Sequence, residues 1–162
     1  MLNLRQNPEQ RIDSRAIQCW RWSAIIKSFF LFFIPAIYYA ATHLWDWPSW
    51  ITFVLLVLAL TDAIFSIFIK PGITWRTWRY DVSDQEIDLM HGVFIKTHTL
   101  IPMVRVQHVD TEQGPLLRHF GLSGVSISTA AGTHEIPALA DEVAATLRDH
   151  ISELARVVDE DV

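Results

Sequence analysis

Two long apolar stretches, each closed at both ends by tryptophan, constrain this chain more than any other feature. Trp20 and Trp22 precede the first stretch, Trp45, Trp47 and Trp50 fill the gap between the two, and Trp75 and Trp78 follow the second. These are all seven tryptophans of a 162-residue chain. An indole ring combines an apolar body with one N–H donor, so it settles in the headgroup layer of a bilayer. The first stretch, Ile25 to Trp45, holds one charge, Lys27, and the second, Trp50 to Ile69, holds one, Asp62. At ~1.5 Å per residue, about 20 residues cover the ~30 Å hydrocarbon core. A buried helix of a soluble protein keeps a polar face, whereas Phe29-Phe30-Leu31-Phe32-Phe33-Ile34 is apolar all round. The stretches therefore predict a helical membrane hairpin. A cleaved leader fits poorly, because the run is too long and Tyr39-Ala40-Ala41-Thr42-His43 offers no clean small-residue site.

Basic residues set the expected orientation. Arg5, Arg11, Arg15, Arg21 and Lys27 lie before or at the start of the first span, and Lys70, Arg76 and Arg79 follow the second. The gap His43–Ser49 has no Lys or Arg and carries Asp46. The positive-inside rule then predicts both termini in the cytoplasm. Residues 1–79 hold 8 basic and 4 acidic residues, net +4, and residues 80–162 hold 5 basic and 14 acidic, net −9. The first half suits an anionic leaflet. The acidic second half disfavours nucleic acid as a partner. One cysteine, Cys19, excludes an intrachain disulfide and a multi-cysteine metal site.

The chain divides into four parts by composition. Residues 1–22 form a polar lead, disordered over its first ten residues or lying as an interfacial helix. Residues 23–70 hold the hairpin, with spans at about 25–45 and 50–69, ended by the helix breaker Pro71-Gly72. Residues 73–155 change to a period of two. Trp78–Val82, Ile87–His91, Val93–Ile101, Val104/Val106 and Val125/Ile127 read as short strands of an antiparallel sheet with one wet face. About six or seven strands are expected. Leu139, Val143, Leu147, Ile151, Leu154 and Val158 then form a helical stripe, with Asp141 placed to cap the helix. That helix would cover an open side of the sheet, and 156–162 is an acidic tail.

Few residues carry a chemical signal. Arg105 and Gln107 share one strand face, and His108 breaks the alternation, which marks a bulge or strand end. With Arg118 and His119 they could form a polar rim pocket for a ligand or partner, or remain a solvated strand face. The soluble histidines lack metal-ligand spacing, and Ser126, Ser128 and Thr129 lie on a strand, not a nucleophile elbow. No catalytic residue, metal or cofactor is expected, and a histidine-based hydrolase or metalloenzyme is the remote alternative. Among the acids Asp81, Asp84, Glu86 and Asp88, Lys96 gives the first hairpin little grip on inositol phosphates. Asp62 near mid-bilayer costs roughly 2.5–3.5 kcal/mol on insertion scales. An antiparallel hairpin brings Lys27 within reach of it, predicting either an intramembrane Asp62–Lys27 pair or a protonated Asp62 bonded to a partner. Ala59-x-x-x-Ala63 and Ala36-x-x-x-Ala40 offer small faces for helix packing.

A longer pattern has a family behind it. Arg105-Val106-Gln107-His108-Val109, Gln113-Gly114-Pro115-Leu116-Leu117-Arg118, Phe120-Gly121-Leu122, Ser128-Thr129-Ala130, Ile136-Pro137-Ala138-Leu139 and Leu147-Arg148 resemble the bacterial pleckstrin-homology (PH) membrane proteins of the YdbS type. The resemblance covers residues 20–155. It implies an α+β or all-β split barrel with a C-terminal capping helix, beside two transmembrane helices. It implies no reaction. Where family members often read Thr-Ala-Gly, this chain has Thr129-Ala130-Ala131-Gly132, so one residue is inserted or the turn differs. The combined expectation is a multi-pass protein of the bacterial inner membrane. Its role would be docking or assembly with a membrane-protein partner or a second copy, or alternatively recognition of a lipid or lipid-linked ligand at the rim.

Overall fold

The computed structural model describes residues 8, 10–45, 47–93 and 95–160. Expectations for the first seven residues, Glu9, Asp46, Phe94 and the last two residues lie outside these. Two compact units emerge, one of residues 17–72 and one of residues 1–16 with 73–162.

The first unit is helical. α1 (Ala16–Leu31) and α2 (Phe33–Trp45) form one rod, Ala16–Leu44, of spanning length and hydropathy. The rod is interrupted at Phe32, because Pro35 has no N–H to give the Leu31 carbonyl. The second span runs Trp50–Thr77, through α3 (Trp50–Ile64), a π-helical turn (Phe65–Ile69) and α4 (Lys70–Thr77). The expected break at Pro71-Gly72 does not occur. In the wider turn Lys70 N–H reaches back to the Phe65 carbonyl, and this loosened ladder admits the proline that a tight α-turn would reject. Ala24, Ser28, Ala59, Ala63 and Ser66 are buried, marking the small-residue faces on which the helices approach. Ala36 and Ala40, also expected to pack, are exposed.

The second unit is built from two antiparallel sheets. One contains β1 (Arg79–Val82), β2 (Glu86–His91) and β3 (Thr97–Pro102), in that order. A 3-10 turn at Met103–Arg105 leads to the other, β4 (Val106–Glu112), β5 (Leu122–Thr129) and β6 (Gly132–Ala140). Alternation decides what faces inward: Tyr80, Ile87, Leu89 and Ile101 from the first sheet and Leu122, Val125, Ile127, Ile136 and Leu139 from the second are buried. The register slips between Val106 and His108, where the alternation of the sequence fails. α5 (Pro115–His119) joins β4 to β5, and α6 (Asp141–Glu160) packs over the second sheet. Its buried positions are Ala144 and Ile151, while Val143 of the expected stripe is 46% exposed.

The two sheets do not close into a barrel. The gap between β1 and β6 is crossed by Gln10–Arg15, a segment the sequence reading assigned to the lead. Gln10 and Tyr80 exchange backbone hydrogen bonds of 3.2 and 3.1 Å, and Asp13 N–H donates to the Ala138 carbonyl at 3.2 Å. Ile12 between them is buried, and its carbonyl accepts from Trp75 Nε1 at 3.1 Å. Arg15 donates to the Phe120 carbonyl at 3.1 Å and pairs with Asp13 at 3.0 Å. That guanidinium holds the Asp13 carboxyl below the usual range. Residues 10–15 are thus a strap across the PH-like domain.

Candidate functional site

The intramembrane charges lie in the helical unit. Helical rise places Lys27 about 7 Å beyond Trp22 and Asp62 about 18 Å beyond Trp50. Lys27 Nζ lies 3.5 Å from Asp62 Oδ2, and Ser66 Oγ lies 3.5 Å from Asp62 Oδ1. The pair stands at one end of a crevice of about 330 Å³ lined by Leu31, Ile34, Pro35, Leu55, Leu58 and Ala59. Pro35 and the small Ala59 side chain are both among its walls. The side chains of Lys27 and Asp62 are 65% and 39% exposed. Ser28, beside Lys27, is buried with its hydroxyl unpartnered. The site combines one cation, one anion and an apolar trough at a depth where lipid tails are the alternative neighbours.

The rim residues expected on the domain fall into two groups. Arg105 ends the 3-10 turn, and Gln107 and His108 open β4, all three exposed. His108 Nε2 lies 3.0 Å from Asp110 Oδ1. Arg118 and His119 end α5, which follows the other end of β4. His119 stands edge-on to Phe120, with ring centroids 5.2 Å apart. Val106 pairs with Thr129 at one end of the strand and Glu112 with Gly124 at the other, so roughly 20 Å of strand separates the groups. The geometry does not bring them to one rim.

At the α5 end of β4 lies a polar knot that no sequence pattern marks. Asp141 Oδ1 accepts from Ser123 Oγ at 2.7 Å and from Gln113 Nε2 at 2.9 Å, and Gln113 also donates to the Leu122 carbonyl at 3.1 Å. Gly121, at φ +63°, turns the chain so that its carbonyl accepts from Asp141 N–H at 3.3 Å. Asp141, placed by sequence as a helix cap, opens α6 and ties its start to the β4–α5–β5 connection. The Gln-Gly-Pro-Leu motif is explained by this architecture, since Gln113 anchors it and Pro115 starts α5. Only the chance spacing of Gln113, Ser123 and Asp141 signalled the knot. Among the described residues no group of three or more His, Cys, Asp or Glu could hold a metal ion.

Two candidate spans beside two antiparallel sheets and a covering helix define a membrane protein with a PH-like domain. Comparison agrees. The chain belongs to the bacterial PH domain family, whose model matches residues 24–155. It is 45% identical over 159 residues to UPF0699 transmembrane protein YdbS of Bacillus subtilis (strain 168), covering 98% of this chain and 100% of that protein. It is 28% identical over 81 residues to UPF0699 transmembrane protein YdbT of the same organism, covering 50% of this chain and 16% of that protein. No solved structure matches the chain significantly. The strap at residues 10–15 lies outside the matched range.

Proposed function

We propose that the chain is a non-catalytic docking module of the bacterial inner membrane, with both termini cytoplasmic, that assembles with a membrane-protein partner or a second copy. The observation that carries this reading is the exposed Lys27–Asp62 pair, 65% and 39% open in a spanning segment. A charge facing lipid tails costs roughly 2.5–3.5 kcal/mol on insertion scales, and such residues face protein or water wherever they are kept. A partner helix seated in the neighbouring crevice would cover both charges and replace lipid packing with helix packing. The spans would hold the domain at the membrane surface, raising its effective concentration toward partners there.

The test is affinity purification of the full chain from native membranes in mild detergent. The wild type is expected to carry a stoichiometric membrane protein or a second copy. Asp62→Leu, which leaves Lys27 without its counter-charge, is expected to lose it, and Lys27→Leu to weaken it. Unchanged association and thermal stability in both Asp62→Asn and Asp62→Leu would sink the proposal.

A further inference from the structure

We propose that the β2–β3 hairpin tip is a second membrane contact, in which Val93 and Ile95 enter the headgroup–acyl boundary and Lys96 meets anionic headgroups. Ile95 is 81% exposed and Val93 42%, at the end of a hairpin where a polar turn would normally stand. Gly92 makes the tip possible. It adopts φ +115°, and a Cβ there would meet the Ile95 carbonyl oxygen at 1.9 Å.

Register shows at which end of the sheet the tip lies. Arg79, two residues after the end of the second span, pairs with Met90, and His91 pairs with Thr97. The tip therefore lies at the end of the sheet where the chain leaves the span. Trp78, a residue of the aromatic belt, stacks on His91 with centroids 4.9 Å apart and planes 13° apart. A belt ring at headgroup depth is thus in contact with the base of the tip, all within the same unit.

Charge is segregated along the same sheet. Arg79 and Lys96 stand at the tip end with His91 and with His98, whose Nε2 lies 2.8 Å from Asp88 Oδ1, whereas Asp84 and Glu86 stand at the opposite turn. Glu86 lies five residues along β2 from His91, roughly 17 Å. Asp81 and Asp88 face each other between the two ends. Counting the hairpin's charges together hides this polarity. An apolar tip with a cationic flank, next to the span exit, fits an anionic lipid surface.

The experiment uses the full chain with Cys19→Ser and one new cysteine, at position 95 or 93 or, as control, at position 84. Each is labelled with an environment-sensitive fluorophore and reconstituted into phosphatidylethanolamine–phosphatidylglycerol vesicles. At 95 and 93 the emission is expected to shift to the blue and to be quenched by nitroxide-bearing lipids but not by aqueous iodide. At 84 the pattern is expected to reverse. Adding Ile95→Glu to the chain labelled at 93 is expected to abolish lipid quenching. Iodide quenching at 95 equal to that at 84 would overturn the proposal. So would shielding from both quenchers, since a protein would then cover the tip.

Discussion

Removing the Asp141 carboxylate tests whether the knot beneath α6 holds the domain together. Asp141→Ala deletes the acceptor of two hydrogen bonds, 2.7 Å from Ser123 and 2.9 Å from Gln113. A hydrogen bond to a charged group contributes about 1.5–3 kcal/mol net. Solvent reaches the Gln113 bond, so it belongs below that range, while Ser123 is only 7% exposed and loses the carboxylate to which it donates. The expected loss is about 2–4 kcal/mol, which for a domain of this size lowers Tm by roughly 8–32 °C. Thermal unfolding of the full chain in mild detergent, read by pulse proteolysis within residues 79–155, measures it. Ser123→Ala alone should cost less, because Asp141 keeps Gln113. In a double-mutant cycle the two substitutions should couple by about 1 kcal/mol or more. A Tm loss under ~2 °C for Asp141→Ala, or strict additivity with Ser123→Ala, would refute the reasoning.

Four further outcomes follow from other residues. Ile12→Ala should destabilise the domain by about 2–5 kcal/mol in the same assay, since Ile12 is 2% exposed; a detached lead would show no effect. Asp13 has its folded pKa depressed mainly by the side-chain hydrogen bond from Arg15. Its contribution is therefore present above the ordinary carboxylate value of 3.8 and is lost as pH falls through the folded value, so Asp13→Asn should flatten the acid side of the stability profile. Gly92→Ala should disorder the hairpin tip, raising hydrogen exchange at residues 91–97, because its Cβ would meet backbone. Ala138 sits at φ +52°, so Ala138→Gly should be neutral or stabilising by up to about 1 kcal/mol, against the usual cost of glycine in a strand.

The spans were legible because composition alone defines them, and the Lys27–Asp62 contact followed from helical rise between two antiparallel rods. Alternation gave the strands, and its failure at His108 gave the bulge. What stayed hidden depends on pairing between distant segments. Nothing local marks Gln10–Arg15 as part of the domain, because one bridge to Tyr80 and one bond to Ala138 create no periodic pattern. The rim group looked coherent because Arg105 and Arg118 are close in sequence, yet β4 runs between them and carries them apart. Pro71-Gly72 reads as a stop, and only the π-turn before it lets the helix continue. The hairpin's charge balance likewise reads as acidic until register assigns each residue to one end or the other.

These hidden contacts have a common mechanical consequence. The chain enters the first span directly after the strap and leaves the second directly before β1. Trp75 N–H donates to the Ile12 carbonyl, and the Arg11 guanidinium lies 5.7 Å over the Trp75 ring. The two connections between domain and spans are therefore joined to each other on the domain's own surface. A domain on two independent linkers could sample many orientations, each ordered only at the cost of conformational entropy. Here the Ile12–Trp75 bond and the Arg11–Trp75 contact order residues of both linkers within the domain itself, so that part of the entropy is lost on folding and not on binding. The strap is thus a folded part of the domain and not a free lead to the first span.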